Sequence, residues 1–325
     1  MVDGETIRVE ARTDEDGKVT VSIKKDDIKT AINNTGNGTV SIEIKADEKA
    51  REVKVNIPSQ PIVASDRRID NIKVDTGLAA VNINPDLLKK SNVPQTADLQ
   101  LTVTRVDSSA VPAAVRSELG NSEVYDFSLN VDGSKISTFE NGEISIGIPY
   151  TLKPGQDPDK VIVYRISDSG KLEIIKNSWY DTATGKVNFK PEHLNKYAAS
   201  YNDVTFSDLS KAAWARSSIE ALAARGIAAG RGDNLFMPGE SVTRAEFLAM
   251  LLNAFDLTDE NTDCTFKDVN DGKWYYNAIA TAQKLGIVQG KTDGTFGVND
   301  AITRQDMAVM TILLRRIMQQ ELKQR

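Results

Sequence analysis

The chain has 325 residues, 40% of them hydrophobic and 26% charged, with a formal net charge of −6 at pH 7. This length and apolar content allow two or three globular domains. The acidic balance, with no dense block of Lys and Arg, argues against a nucleic-acid partner. No apolar run approaches the roughly 20 residues of a membrane span. The opening MVDGETIRVE lacks the basic and apolar regions of a signal peptide, so we expect an internal or terminal piece of any secreted parent.

Cys264 is the only cysteine and His193 the only histidine. This excludes most metal-ligand clusters and the thiol or Ser-His-Asp catalytic arrangements. Carboxylate-only chemistry stays open, but the sequence nominates no catalytic pair. The loop from Asp268 to Gly272 superficially suggests calcium, yet it lacks the alternating acidic positions and the final Glu of an EF-hand. We predict no catalytic residue, no metal and no cofactor.

Short alternating strands fill the first two hundred residues, separated by clusters of Gly, Asn, Asp and Pro. We place strands at 19–23, 40–44, 99–103, 143–148 and 160–164. Alternation of apolar and polar residues is typical of a half-buried antiparallel sheet. We therefore predict an all-β, sandwich-like N-terminal region with short helices.

A weak internal repeat divides this region. Residues 18–28 align with residues 79–88, and each segment reads as a strand and a short helix followed by a further strand. We predict β-rich units at 1–70 and 71–140, the second a possible repeat of the first, and a sandwich-like module at 141–203.

After Tyr201 the pattern becomes helix-loop-helix, with a sharp repeat of 60 residues. We predict one repeat at 204–263 and another at 264–325. The matched positions are Phe206 and Phe266, Asp208 and Asp268, Trp214 and Trp274, Ile219 and Ile279, Gly226-Ile227 and Gly286-Ile287, Gly230 and Gly290, Asp233 and Asp293, Phe236 and Phe296, and Val242–Glu246 and Ile302–Asp306.

The first half of each repeat predicts a short helix and a compact turn. Trp214 lies near the apolar stripe of that helix, and Gly226 supplies the left-handed residue that ends it. Gly230, Asp233 and Asn234 are then expected to take the unusual backbone angles of the turn.

The second half of the repeat predicts a capped helix. Thr243 and Glu246 have the spacing of a capping box, in which hydroxyl and carboxylate each bond the other's backbone N–H. Phe247, Leu251 and Phe255 follow at i, i+4 and i+8, which predicts a stripe facing the core.

This combination of Phe-x-Asp, Trp, Gly-Ile, Gly-x-x-Asp-x-x-Phe and Thr-Arg-Ala-Glu resembles the S-layer homology family. The resemblance covers about residues 204–318. It implies binding of secondary cell-wall polysaccharide, often through a pyruvylated amino sugar, in grooves between repeats of a three-lobed prism. Three repeats are usual in the family, and two are present here. The stretch 142–201 resembles β-rich modules beside such repeats in surface proteins of bacilli and clostridia.

The resemblance places a sugar carboxylate at the start of the second helix of each repeat. A helix N-terminus attracts anions, and Arg244 and Arg304 can add bidentate guanidinium contacts. Helix chemistry does not require a cation there, since it opposes the dipole, so these arginines favour a ligand. Further candidates are Thr243, Glu246, Thr303 and Asp306, for which capping alone is a sufficient explanation.

For Trp214 and Trp274 burial in the core is the favoured interpretation, and flat faces offered to a pyranose ring are the alternative. Gly230 and Gly290 are turn residues that also leave room for a ligand.

We therefore expect an extracellular protein, anchored non-covalently to the cell wall, with wall polysaccharide as its partner and lateral self-association possible. No nucleic-acid partner and no membrane span are expected. Two alternatives stay open. One is the C-terminal part of a secreted glycoside hydrolase or carbohydrate-binding protein, and the other is a fragment of a lattice-forming surface-layer subunit.

Overall fold

The computed structural model describes residues 1–90, 97–136, 139 and 144–324, without the side chains of 89–90 and 320–324. The part of the predicted strand 143–148 that falls on Glu143 lies outside the described residues. The chain forms two compact units, Met1–Asn202 and Asp203–Arg325.

Within its described residues, the first unit is built from strands and four short α-helices. Its strands are Val2–Asp3 (β1), Thr6–Glu10 (β2), Lys18–Ser22 (β3), Thr39–Lys45 (β4), Glu52–Pro58 (β5), Asn71–Asp75 (β6), Ala80–Ile83 (β7), Asp98–Val106 (β8), Val124–Val131 (β9), Ser134–Ile136 (β10), Ile144–Pro149 (β11), Val161–Ile166 (β12), Leu172–Ile175 (β13), Trp179–Asp181 (β14), Lys186–Phe189 (β15) and Lys196–Tyr201 (β16). Its helices are Lys25–Asn34 (α1), Gln60–Val63 (α2), Asp86–Lys90 (α3) and Ala113–Leu119 (α4).

Two sheets share one hydrophobic core. One has the strand order β1-β2-β4-β6-β7-β11-β15-β14, and the other β13-β12-β16-β9-β8-β5-β3, with β10 paired to β9. Inward residues of both sheets, such as Ile42 and Val74 from one and Val55 and Leu101 from the other, are fully buried in a single cluster. Apolar residues alternate along strands such as β4 and β8, because only one face of these strands meets this core.

The predicted order of an all-β, sandwich-like region followed by helical repeats is confirmed. The purely antiparallel expectation is wrong for three pairs, because β2–β4, β4–β6 and β3–β5 are parallel. Alternating polarity reports a buried face and carries no information on strand direction. The chain crosses from β2 to β3 in the other sheet and returns to β4, and this route makes β2 and β4 parallel neighbours.

The predicted internal boundaries after residues 70 and 140 do not separate compact units. β6 begins at Asn71 and pairs with β4, while β11 pairs with β7. Strands from all three predicted stretches thus complete the same two sheets, and only the boundary near residue 203 separates compact units.

The second unit contains the repeats, each with two α-helices. The first repeat has the 3₁₀ segment Leu209–Ala215 and the helices Arg216–Ala224 (α5) and Arg244–Ala254 (α6). The second has Tyr276–Lys284 (α7) and Arg304–Gln324 (α8). Gly226 and Gly286 have φ of 65° and 70°, and the residue after each glycine donates its N–H to the carbonyl five residues earlier, as in a Schellman cap. The predicted helix-ending role of Gly226 is confirmed.

The buried face of α6 differs from the predicted stripe. Ala245, Leu248 and Leu252 are fully buried, whereas Phe255 is half-exposed at the C-cap. The stripe at 247, 251 and 255 is therefore wrong as the main core face. Apolar residues occupy several sides of this helix, so its periodicity alone could not select which side meets the neighbouring repeat.

Candidate functional site

The start of α6 has the predicted capping box. Thr243 Oγ1 accepts from the Glu246 backbone N–H at 3.2 Å, and Glu246 Oε2 accepts from the Thr243 N–H at 2.8 Å. Arg231 donates to the same Glu246 carboxylate at 2.8 Å. These bonds lower the pKa of Glu246, although burial acts in the opposite direction. Both residues hold the helix end in shape.

The equivalent positions at the start of α8 make a different set of bonds. Thr303 Oγ1 accepts from the Asp306 N–H at 3.2 Å and donates to Asp306 Oδ2 at 2.7 Å. The pKa of Asp306 is lowered, first by this hydroxyl and then by Arg244. Asp306 therefore bonds both to the N-cap residue of its own helix and to Arg244 of the first repeat.

Arg244 joins the two repeats. Its Nη1 lies 3.0 Å from Asp306 Oδ2, and its Nε donates to the Phe296 carbonyl at 3.1 Å. Its guanidinium carbon lies 4.9 Å from the centre of the Phe296 ring, and only 12% of the side chain is exposed. The second repeat thus already provides the ion-pair, hydrogen-bond and ring contacts of the Arg244 guanidinium.

Arg304 occupies the equivalent place at the start of α8 but is exposed. Within the part of the chain that the structure describes, no salt bridge or hydrogen bond engages its guanidinium. The same sequence position is therefore a partnered arginine in one repeat and an available one in the other.

Both tryptophans of the repeats lie in solvent. Trp214 is 91% exposed and Trp274 is 65% exposed, with its ring edge-on to Tyr275 at 5.4 Å. The core interpretation is wrong for both residues. Each precedes the first α-helix of its repeat, so neither is carried on the buried face of that helix.

Gly230 and Gly290 make room for a phenylalanine of their own repeat. A Cβ on Gly230 would lie 2.6 Å from Phe206 Cε1, and one on Gly290 would lie 2.5 Å from Phe266 Cε1. The space that each glycine leaves is thus filled by the ring of the Phe-x-Asp motif. The predicted unusual backbone angles are found at Asp233 and Asn234, with φ of 49° and 57°, but Gly230 has no positive φ.

The aspartate of the Phe-x-Asp motif anchors the loop, a role that the sequence reasoning missed. Asp208 accepts from the N–H groups of Phe236 and Met237 at 3.0 and 2.7 Å. Asp268 accepts from Phe296 at 2.7 Å and from the two residues that follow it. The pKa of Asp208 is lowered by these backbone bonds, first that from Phe236. The repetition of Asp and Phe 28 residues apart was the available signal.

The fold and this site define a class of protein. Its members have a β-sandwich unit followed in sequence by two tandem helical repeats, and the start of α6 in the first repeat contacts the second repeat. The S-layer homology domain matches residues 205–248 and 265–308. The chain therefore carries two tandem S-layer homology domains, as the repeat predicted. Such domains are non-catalytic anchoring domains of the bacterial cell surface, which makes this an extracellular, wall-associated chain. Among the described residues, no helix is both long and apolar enough to cross a membrane.

The chain is similar to segments of several longer bacterial proteins. An amylopullulanase of Thermoanaerobacterium thermosulfurigenes is 28% identical over 90% of this chain and 15% of its own length. An endo-1,4-β-xylanase A of Thermoanaerobacterium saccharolyticum is 42% identical over 40% of this chain and 11% of its own. A cellulosome-anchoring protein of Acetivibrio thermocellus is 30% identical over 35% of this chain and 26% of its own. The chain spans about a quarter or less of each relative.

Proposed function

We propose that the chain anchors a surface protein to the cell wall by binding secondary cell-wall polysaccharide, in pyruvylated form, through its two repeats. The observation that carries the proposal is the pair of S-layer homology domains at 205–248 and 265–308. The β-sandwich unit then serves as a spacer between the wall and the rest of the parent protein.

Arg304 is the residue proposed to hold the carboxylate of a pyruvate ketal. It is exposed in the first turn of α8, where free backbone N–H groups and the helix dipole also favour an anion. The planar guanidinium can form two parallel bonds to a carboxylate, which a lysine cannot. Exposed rings of Trp214 and Trp274 supply apolar faces on which pyranose rings can stack.

Arg244 is proposed as a positioning residue for the repeats. Its contacts to Asp306 and to the Phe296 carbonyl leave little of the guanidinium for a ligand. Thr243, Glu246, Thr303 and Asp306 maintain the two helix starts, and Gly230 and Gly290 maintain the loops. All of them support binding through the shape of the module.

The chain itself is proposed to be non-catalytic. A second candidate is that it forms part of a secreted glycanase, which the resemblance to the amylopullulanase over 90% of the chain favours. In that case the catalytic residues would belong to other parts of the parent. Incubation of the chain with starch, xylan and cellulose should produce no new reducing ends. Their appearance would contradict the non-catalytic assignment.

Wall binding is tested by sedimenting the chain with purified cell walls, before and after mild acid treatment that strips the secondary polymer. We expect retention on intact walls and loss on stripped walls. Equal retention on both would contradict polymer binding. A second arm adds free pyruvylated polymer as competitor, which should release the chain, whereas the same polymer after removal of the ketal should not.

A further inference from the structure

The β-sandwich unit carries two adjoining hollows where β8 ends and β9 begins. The first has a volume of about 870 Å³ and is lined by the turns before β3 and β5, the end of β8 and the segment from α4 to β9. The second, of about 550 Å³, is lined by the start of β9, the loop after β11 and the end of β16. The two share Leu119, Asn121, Ser122 and Glu123 as lining residues. They therefore form one groove, which we call the β9 groove, and each hollow has the size of a ligand site.

Arg105 and Glu123 form a fixed polar pair in the β9 groove. Arg105 Nη1 donates to Glu123 Oε1 at 3.3 Å, and its Nη2 donates to the Ala50 carbonyl at 3.4 Å. The hydroxyl of the buried Tyr125 donates to the other oxygen of Glu123. The Arg105 and Glu123 side chains nevertheless stay 37% and 52% exposed. A ligand thus meets a carboxylate and a guanidinium that are already ordered, which lowers the entropic cost of binding.

Aromatic rings line the second hollow. Tyr150 and Tyr201 are half-buried there, and Tyr150 packs edge-on against Tyr180 with ring centres 6.1 Å apart. The Tyr150 hydroxyl donates to Gln156 Oε1 at 3.2 Å, and the Tyr201 hydroxyl accepts from the Asp157 N–H at 3.3 Å. Both rings are therefore held in one orientation, and a tyrosine combines an apolar face with a polar edge.

The charges of the first hollow select the chemistry of the ligand. Its lining carries six carboxylates and four cationic groups, namely Asp14, Glu15, Asp16, Glu48, Asp107 and Glu123 against Lys49, Arg51, Arg105 and Arg116. The excess of carboxylates disfavours an anion. A metal ion is also disfavoured, because Asp107 and Glu123 already pair with arginines at 3.3 Å and the described residues hold no acidic cluster suited to a metal.

A sugar fits both ends of the groove. A hydroxyl group donates and accepts, so a polyhydroxyl ligand can bond to a carboxylate and a guanidinium together. The apolar face of a pyranose ring can pack on a tyrosine ring. Two adjoining hollows favour a chain of several sugar rings over a single ring.

We propose that the β9 groove binds a neutral oligosaccharide, with sugar hydroxyls on Arg105 and Glu123 and a ring face against Tyr150. This adds a ligand site to the unit that was proposed above as a spacer. The site is independent of wall binding, because it lies in the other compact unit and its ligand carries no carboxylate.

The experiment titrates the full chain separately with maltohexaose, cellohexaose and xylohexaose. Calorimetry gives the affinity, and amide chemical shifts of the ¹⁵N-labelled chain locate the site. We expect saturable binding with shift changes at residues 119–125 and 148–156. The hexasaccharide that binds identifies the source of the ligand as an α-glucan, a β-glucan or a xylan.

Glu123→Gln should weaken this binding by about tenfold, because it retains the shape of the side chain and removes the charge that strengthens a hydrogen bond. Glu118→Gln is the matched control, since it makes the same change to an exposed carboxylate of α4 that does not line the groove. It should bind like the unsubstituted chain. Circular dichroism checks the fold, and Asn121→Ala, a change at an exposed groove residue, replaces Glu123→Gln if that variant does not fold.

The proposal is overturned if none of the three hexasaccharides saturates at millimolar concentration, or if the shift changes lie outside the groove. Equal affinities of Glu123→Gln and Glu118→Gln would also overturn it. Arg304→Ala should bind the hexasaccharide normally, and Glu123→Gln should still sediment with cell walls. Failure of groove binding and failure of wall anchoring are therefore told apart.

Discussion

Arg244 Nη1 lies 3.0 Å from Asp306 Oδ2, and this ion pair joins the starts of α6 and α8. Each residue belongs to its own repeat's copy of one sequence motif, a Thr-Arg-x-acid segment. Each Thr-Arg-x-acid motif thus contributes a different member to the contact, the arginine from the first repeat and the carboxylate from the second. Arg244 is largely shielded from water and the Asp306 side chain is 32% exposed, so loss of the pair leaves a partly buried Asp306 with fewer partners.

Arg244→Ala should destabilise the helical unit. Removing the guanidinium takes away the ion pair, the bond to the Phe296 carbonyl and the stacking on its ring, which together predict a loss of about 2 kcal/mol. Urea unfolding followed by helical ellipticity at 222 nm measures it. Arg304→Ala is the matched control, because it removes the equivalent exposed side chain, and it should change stability by less than about 0.5 kcal/mol. Equal effects of the two variants would contradict the assigned roles.

Arg304→Ala should weaken binding to pyruvylated wall polymer by about tenfold, since a charge-assisted bidentate contact is lost. Arg304→Lys retains the charge but lacks the planar guanidinium. Its affinity should therefore fall between that of the unsubstituted chain and that of Arg304→Ala. Binding isotherms on purified polymer give the values. Unchanged affinity in Arg304→Ala would exclude this arginine as the carboxylate contact without excluding anchoring.

Gly230→Ala and Gly290→Ala should each destabilise their repeat by about 1 to 3 kcal/mol, because the new methyl group would overlap a phenylalanine ring. Thermal unfolding of the full chain provides the measurement. Gly239→Ala is the control, since no atom lies within 4 Å of the position its Cβ would take. Tolerance of alanine at 230 and 290 would show that both the rings and the nearby carbonyl oxygens of Leu235 and Thr295 can move aside.

The helical unit should lose stability as the pH falls from about 5 towards 2. The backbone N–H of Asn261, then Lys284 and Thr262, lower the pKa of Asp259 to about 2. A carboxylate with a depressed folded-state pKa stabilises the fold above its unfolded pKa, and this contribution disappears as pH falls through the folded value. Asp259→Asn should therefore flatten the pH dependence of the urea midpoint over this range.

The control for that experiment is Asp263→Asn, which removes an exposed carboxylate of the same loop at the same change in net charge. An equal flattening in both variants would attribute the effect to net charge. Titration of the Asp259 carboxyl by NMR provides a second measurement, and a midpoint near 4 would contradict the bonds seen around it.

The class of this protein was predictable from the sequence because its signals are local or periodic. A repeat of 60 residues needs no structure to be seen, and capping boxes and helix-ending glycines act within a few residues of the chain. Thr243 with Glu246 and Gly226 were therefore assigned correctly, as was the order of a β-rich region before helical repeats.

The roles of identical motif positions were decided only by tertiary structure. Arg244 and Arg304 stand in matching sequence contexts, yet Arg244 is held by Phe296 and Asp306 while Arg304 faces solvent. Burial and ion pairing depend on neighbours far along the chain, and within the described residues the second repeat packs against the start of α6. For the same reason the sequence could not select the buried face of α6, the exposure of Trp214 or the direction of β4 beside β2.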